Sequence, residues 1–169
     1  MNLAEQIDGL AERAAPAGDF TLAKVTDAFE LSALFGEFFA ESDYAKNNIR
    51  YSQQNAMAWL LRVLGNGSFP HVIARVDNKI VGVISWSMDQ SFCEEPVAVL
   101  HTIYVKKPYR KSIMGRMLVS LALDLAEYEG ACSFSAPIAS GMKEMKTLAN
   151  MFAKAGFKQS GVILTKAFN

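Results

Sequence analysis

Three apolar segments between residues 71 and 105 constrain the fold of this chain more than any other feature. HVIARV (71–76) and IVGVISWSM (80–88) are separated only by the turn residues DNK (77–79), which predicts an antiparallel hairpin. VAVLHTIYV (97–105) is a third apolar run with the length of a strand. These runs are the β signal of the chain, and they predict a sheet at its centre.

Helical patterns flank these strands. Asp27 begins a helix with Glu30 three residues later, the spacing of a capping box, and a second helix begins near Ser52. The predicted apolar side of the first helix consists of Phe29, Leu31, Leu34, Phe35, Phe38 and Phe39. After the strands, apolar residues recur at intervals of three and four over 113–129, which predicts a third helix.

The remaining segments complete the order of elements. Further strands are predicted at 20–25 and 132–138, a helix at 142–155, and a terminal strand or hairpin at 157–168. The order β-αα-βββ-α-β-α-β predicts an α+β fold with one mixed sheet that is covered by helices.

The first eighteen residues stand apart from this pattern. Apolar residues at helical spacing predict a helix over 2–15, which Pro16 and Gly18 end. Because 169 residues suit one domain, we expect 1–18 to form an N-terminal helix outside the core and 19–169 to form a single domain.

Composition argues against several functions. Seventeen basic and seventeen acidic side chains give no net field that would attract nucleic acid. The apolar runs are too short to span a membrane, and the N-terminus lacks the pattern of a signal peptide, so we expect a cytoplasmic protein. Cys93 and Cys132 lie far apart without metal-binding spacing, so we expect two free thiols and no metal site.

A basic cluster nevertheless occurs at the junction between the strand that ends at Val105 and the helix that follows. Its members are Lys106, Lys107, Arg110, Lys111 and Arg116. The unpaired amides and the dipole of a helix N-terminus bind anions, and an arginine fork beside them favours phosphate. A solvated basic loop would show the same residues, so the pattern alone leaves both interpretations open.

The segment IYVKKPYRKSIMGRML (103–118) resembles the acetyl-coenzyme A signature of the GNAT family of N-acetyltransferases. In that family a strand of pattern LYV leads into P-x-Y-R-G-x-G-x-G-R-x-L and a helix. The matching residues are Val105, Pro108, Tyr109, Arg110, Gly115, Arg116 and Leu118. The first helix, the DNKIVG turn and the closing ANMFAKAGF follow in the family's order, so the resemblance covers 20–168.

The resemblance implies a fold, a cofactor and a binding site. The fold would be a mostly antiparallel central sheet with splayed strands and helices on both faces, and the cofactor would be acetyl-CoA. The exposed main chain of Ile103, Tyr104 and Val105 would pair with the pantetheine arm. Arg110 would lie beside the pyrophosphate. The amides that would hold the pyrophosphate belong to Lys111, Ser112, Ile113, Met114, Gly115 and Arg116.

Two positions depart from the family signature. Lys111 and Ile113 replace glycines, and a β-branched residue adopts positive φ only at a high energetic cost. The site would survive if Ile113 keeps right-handed helical geometry. Ser112 would then be able to offer its hydroxyl to a phosphate in compensation.

The resemblance places the general base on the strand before the signature, where the candidate is His101. A simple alternation would put His101 on one face with Ile103 and Val105, and Tyr104 on the other. Histidine suits proton transfer near neutral pH. Glu94 and Glu95 are alternatives, either as bases that act through water or as anchors for an acceptor ammonium.

The acceptor would be an amine of unknown identity. Its predicted pocket contains Phe38, Phe39, Tyr44, Tyr51, Trp86 and the segment SFCEE (91–95). Phe152 occupies the position where many family members carry a tyrosine that protonates the leaving thiolate. A non-catalytic acyl-CoA-binding or structural protein on the same scaffold is therefore the alternative function, and a homodimer is compatible with either.

Overall fold

The computed structural model describes residues 18–47, 49–91, 94–138 and 145–161. Its strands are β1 (Asp19–Leu22), β2 (His71–Val76), β3 (Lys79–Asp89), β4 (Val97–Val105) and β5 (Ser133–Ser135). Its helices are α1 (Ala28–Glu41), α2 (Asp43–Lys46), α3 (Gln53–Asn66), α4 (Met114–Tyr128) and α5 (Met145–Lys154). Short 3₁₀ turns at Val25–Asp27 and Lys107–Tyr109 precede α1 and α4.

The five strands form one sheet in the order β1-β2-β3-β4-β5. The first three pairings are antiparallel and the pairing of β4 with β5 is parallel, which confirms the predicted mixed α+β fold. Asp77 and Asn78 form the hairpin turn with φ of 50° and 60°, which these two residue types tolerate. Lys79, which was predicted to belong to the turn, is the first residue of β3.

Helices cover both faces of the sheet, as the family resemblance implied. On one face, α1 and α3 pack through Leu31, Leu34 and Leu60 against strand residues such as Ile73 and Val83. On the other face, α4 and α5 pack against Val72, Ile84, Trp86, Leu100 and Val105 through Leu118, Leu121, Leu125 and Phe152. The sheet therefore separates two apolar cores.

A β-bulge interrupts the pairing of β3 with β4. Ser85 pairs with Thr102 and Trp86 pairs with Leu100, so His101 is the extra residue between them. Leu100 and Ile103 are three positions apart, yet both pack in the core beneath α4. The bulge thus reverses the alternation along β4 at the point where His101 lies.

The start of α1 differs from the predicted capping box. Asp27 accepts a hydrogen bond from the Lys24 amide at 2.8 Å, and Glu30 reaches the sheet, where it accepts from the Ile80 amide at 2.6 Å. Phe29, predicted on the apolar side, is 67% exposed, because the buried side of α1 follows Ala28, Leu31 and Leu34 and Phe29 lies outside it.

Several predicted segments extend beyond the described residues. The N-terminal helix over 2–15, Cys93, the first three positions of the helix predicted at 142–155 and the end of the predicted strand at 157–168 lie outside them. Residues 157–161 are described and form no strand. Within the described ranges, none of the helices combines the length and the apolar character needed to cross a bilayer.

We expect Glu30→Ala to lower the free energy of unfolding by about 1–3 kcal/mol, because the Ile80 amide would lose a charged acceptor. Glu30 also lies 3.4 Å from the Arg75 guanidinium. Urea denaturation measures the effect. Glu30→Gln keeps an oxygen for the Ile80 amide and should recover most of the stability, and equal losses in the two variants would contradict the role assigned to this hydrogen bond.

Candidate functional site

The basic cluster lies where the sequence predicted it, at a junction from strand to turn to helix. The Lys106 amide donates to the Val81 carbonyl at 2.8 Å, and the Tyr109 amide donates to the Lys106 carbonyl at 2.9 Å. These bonds end β4 and close the 3₁₀ turn before α4. The chain therefore changes direction within a few residues, and the start of α4 follows directly after the turn.

Ser112 caps the start of α4. Its hydroxyl accepts from the Met114 amide at 3.1 Å and donates to the Tyr109 carbonyl at 2.7 Å. The first amide that donates within the helix is that of Met117, to the Ile113 carbonyl. The amides of Gly115 and Arg116 have no acceptor within the helix, as expected for a first turn, and they are available to an anion.

Ile113, which replaces a glycine of the family signature, has the right-handed backbone geometry that the site requires. Its φ of −75° and ψ of −6° are right-handed, so a β-branched residue occupies this position without backbone strain. At Gly115, an added Cβ would lie 3.5 Å from the Met151 sulfur on α5, which is ordinary contact. A side chain at position 115 would therefore point towards α5.

β4 has an unpaired edge beside this loop. Its parallel pairing with β5 runs from Val97 to Val99 and ends there. From Leu100 to Val105, this edge of β4 has no strand neighbour among the described residues. This is the splay that the resemblance implied, and it leaves main-chain groups of Ile103 and Val105 without ladder partners on that side.

Arg110 does not extend towards the start of α4. Its Nε donates to the Val105 carbonyl at 2.8 Å, and its guanidinium donates to Oε2 of Glu41 at 2.7 Å. The guanidinium also lies 5.2 Å from the centre of the Tyr104 ring, and the Tyr104 hydroxyl donates to Oε1 of Glu41 at 2.7 Å. Sequence reasoning missed Glu41, because nothing in a single sequence pairs residues 41 and 110.

The remaining cations of the cluster divide into two groups. Lys106 lies 2.9 Å from Glu37 and Lys107 lies 3.7 Å from Glu41, so both face α1. Lys111 and Arg116 are exposed beside the first turn of α4, and neither forms an ion pair with another described residue. These two cations are the ones placed to attract an anion to the first-turn amides.

The charges around Glu41 keep it ionised. Burial raises the pKa of the Glu41 carboxyl, but hydrogen bonds from Tyr104 and Arg110 outweigh burial and the net pKa is lowered. Burial, followed by the hydrogen bond to Glu41, raises the pKa of the Tyr104 hydroxyl. Tyr104 therefore stays protonated and engaged with Glu41, which argues against a role as an acid for a leaving thiolate.

His101 lies on the same face of the sheet as α1 and α3, and its side chain remains exposed to solvent. Its Nε2 lies 2.7 Å from the Ser87 hydroxyl, and its ring centre lies 4.9 Å from that of Phe69. Phe69 in turn contacts Trp59 of α3. The prediction that His101 shares a face with Ile103 and Val105, opposite Tyr104, is wrong because the bulge inserts one residue.

The acidic candidates lie apart from His101. Glu94 and Glu95 are exposed in the loop before β4, and the Glu94 carbonyl accepts from the Gln90 side chain at 2.6 Å. From Val97 to His101 the strand alone spans about 13 Å.

Partial burial of the imidazole lowers the pKa of His101, so its neutral form persists to lower pH than in an ordinary histidine.

The aromatic residues predicted for an acceptor pocket separate in the structure. Phe39 stacks on Tyr44 at 5.4 Å and lies 5.6 Å from Tyr51, while Phe38 packs on Tyr104. A cavity of about 370 Å³ here is lined by Gly36, Phe39, Ala40, Ala45, Ile49, Arg50 and Tyr51. Trp86, also predicted for the pocket, is fully buried in the core on the opposite face of the sheet.

Phe152 is a core residue, and Cys132 is a free surface thiol. Phe152 is buried and packs edge-on against Phe157 at 4.9 Å. Cys132 is exposed and forms no disulfide. Among the described residues, no group of three or more histidine, cysteine or acidic side chains is arranged to hold a metal ion.

Comparison with known proteins identifies the family of this chain. The model of the Acetyltransferase (GNAT) family matches residues 30–157. A search of the curated proteins found no match.

Three solved structures illustrate the similarity of fold. One is AAC(6')-Iy in complex with a bisubstrate analogue, with a TM-score of 0.70 and 14% identity over 89% of this chain and 97% of that chain. Another is a ribosomal-protein-alanine N-acetyltransferase from Brucella melitensis biovar Abortus 2308, with a TM-score of 0.63 and 19% identity over 87% and 98%. A third is an aminoglycoside acetyltransferase from an uncultured soil metagenomic sample, with a TM-score of 0.66 and 16% identity over 89% of this chain and 98% of that chain.

The family match covers most of the chain, including α1, the bulged strand and the capped start of α4. On this evidence the chain belongs to the GNAT family of acetyltransferases.

Proposed function

We propose that this chain is an N-acetyltransferase that transfers the acetyl group of acetyl-CoA directly to an amine. The observation that carries the proposal is the start of α4, where Ile113 keeps right-handed geometry and the amides of Gly115 and Arg116 lack acceptors within the helix. Family membership supports acetyl transfer in general, and other members of the fold have been solved with coenzyme A.

The residues present fit acetyl-CoA. The amides of Gly115 and Arg116 would hold the diphosphate, with the exposed side chains of Lys111 and Arg116 beside them. The amides of Ser112 and Met114, which the resemblance also implied, already donate to the Tyr109 carbonyl and the Ser112 hydroxyl. The unpaired edge of β4 would bind the amide groups of the pantetheine arm through the main chain of Ile103 and the amide of Val105, because the Val105 carbonyl already accepts from Arg110. When bound, this cofactor supplies the acetyl thioester.

His101 would act as the general base. In the tautomer whose Nε2 donates to the Ser87 hydroxyl, Nδ1 would be the nitrogen that accepts the proton that the amine loses as it attacks the thioester carbonyl. In this transfer the amine nitrogen would gain a bond to the acetyl carbon, and the bond of that carbon to sulfur would break with its electron pair on sulfur. Phe152 offers no proton to that sulfur, so this chain would release a thiolate or protonate it from water.

The acceptor side would lie near the aromatic cluster at the end of α1. Phe39, Tyr44 and Tyr51 gather there around the cavity. Similar folds include acetyltransferases of aminoglycosides and of a ribosomal protein, so both small and macromolecular amines remain candidates. Glu94 and Glu95 would contact only an acceptor long enough to reach the loop before β4. We propose a cytoplasmic enzyme that needs neither nucleic acid nor membrane.

We expect acetyl-CoA to raise the melting temperature of the protein by about 5–10 °C at a hundredfold excess over its Kd, because only the folded state offers the amides of α4. Differential scanning fluorimetry measures this shift. Release of free thiol with a panel of amines then tests turnover.

The two assays separate the alternatives. Binding without thiol release on any amine or peptide would favour a non-catalytic acyl-CoA-binding protein, the function that Phe152 suggests. The absence of any thermal shift would reject both functions.

A further inference from the structure

We propose that Glu41 positions the loop between β4 and α4 for cofactor binding, and that Arg110 acts through its ion pair with Glu41 and not as a ligand of the phosphates. This inference rests on the proposed function. It revises the position beside the pyrophosphate that the resemblance implied for Arg110.

Glu41 connects three elements through one carboxylate. It is the last residue of α1, its Oε1 accepts from the Tyr104 hydroxyl at 2.7 Å, and its Oε2 accepts from Arg110 at 2.7 Å. Tyr104 belongs to β4, whose edge is proposed to bind the pantetheine arm. The strand and the loop that leads to α4 are therefore held against the same helix end.

The second anchor of Arg110 fixes its direction. Its Nε donates to the carbonyl of Val105, the last residue of β4, and its guanidinium lies over the Tyr104 ring. The Arg110 side chain is 17% exposed and that of Glu41 is 19% exposed. A rotation towards the phosphates would break these contacts and leave the largely buried Glu41 carboxylate with only the exposed Lys107 as a nearby cation, which is unfavourable.

The neighbouring ion pairs are weaker constraints. Lys107 lies 3.7 Å from Glu41 but is 70% exposed, and Lys106 pairs with Glu37, whose side chain is 47% exposed. Exposed pairs of this kind contribute little because solvent screens them. The pair of Glu41 with Arg110 is thus the main constraint on the loop, and Glu37 provides a matched control one helical turn earlier.

The same helix end lines the aromatic cavity. Phe39 and Ala40, which directly precede Glu41, are among its lining residues. A shift of the end of α1 would therefore disturb the cofactor loop and the proposed acceptor side together, so we infer that the Michaelis constants for both substrates depend on Glu41.

A double-mutant cycle on the Kd of coenzyme A, measured by calorimetry, tests the proposal. We expect Glu41→Gln and Arg110→Ala each to weaken binding about tenfold, and the double variant to bind no more weakly than the weaker single variant. Glu41→Gln retains an acceptor for Tyr104, so it should fold. Glu37→Gln removes an equal charge from the same helix and should change the Kd less than twofold.

Other results would overturn the proposal. Tighter binding by Glu41→Gln would show that Glu41 competes with the phosphates for Arg110, and additive losses would show independent roles. Arg110→Lys adds a further readout, because lysine keeps the positive charge but cannot bond both Val105 and Glu41 in the observed geometry. Binding by Arg110→Lys as tight as that of the unaltered protein would contradict the role of the ion pair. Failure of the unaltered protein to bind coenzyme A would instead reject the proposed function.

Discussion

Replacing His101 by alanine is expected to lower kcat by about 10²–10⁴-fold, the usual contribution of a general base, while the Kd for coenzyme A changes less than about twofold. The reason is geometric: His101 lies in the bulge of β4, on the α1 and α3 face, and not at the start of α4 where the diphosphate would bind. Thiol release gives kcat, and calorimetry gives the Kd.

Ser87→Ala is the matched comparison for this prediction. It removes the hydroxyl 2.7 Å from Nε2 of His101 but leaves the imidazole, so we expect a smaller loss of kcat, about tenfold. Equal kcat values for the His101→Ala variant and the unaltered protein would return the histidine to a structural role. Equal losses of kcat and of coenzyme A affinity would show that the bulge, and not the imidazole, matters.

The pH dependence of kcat/KM adds a second readout. Burial lowers the pKa of His101 below its ordinary value, so the neutral, proton-accepting form is present at pH 7 and is lost only under more acidic conditions. The acid limb of kcat/KM should therefore have its midpoint below about 6.5, the ordinary histidine value. His101→Ala should remove that limb, and a limb that persists unchanged would assign it to another group.

Elements whose signals are local were predicted well from the sequence. β4 begins and ends at the predicted residues, and α4 differs from its prediction by one residue at each end, because hydrophobic periodicity and turn residues act over short distances. The position of the basic cluster at a junction from strand to turn to helix was therefore accessible without a structure. The sequence left the geometry of Ile113 open, and only its observed φ and ψ show that it is right-handed.

Features that depend on pairing between distant segments were not predictable. The bulge at His101 is set by the register of β4 on β3, and it reversed the face inferred from simple alternation. Glu30 binds the Ile80 amide fifty residues away, so a local capping rule misassigned it. Glu41 is a third example, because its partners Tyr104 and Arg110 meet it only after the sheet and α1 have packed.

Ile113→Asp is expected to weaken coenzyme A binding by about 100-fold or more while leaving the protein without ligand at least as stable as before. A carboxylate about 4 Å from a bound phosphate costs roughly 4 kcal/mol at an effective dielectric constant of 20. The same carboxylate is favourable near a helix N-terminus, by about 0.3–1 kcal/mol. Calorimetry and urea denaturation measure the two effects, which have opposite signs.

Two further substitutions separate charge from shape at this position. Ile113→Asn has nearly the same shape as Ile113→Asp without its charge, so it should weaken binding much less. Ile113→Gly restores the residue of the family signature and should lower the stability slightly, because glycine orders at a greater entropic cost. If Ile113→Asp binds coenzyme A as tightly as the unaltered protein does, the diphosphate does not lie at the start of α4. The loss of that anion site would remove the main support for acetyl-CoA as the cofactor, since the bound diphosphate would set where the pantetheine arm and its thioester lie.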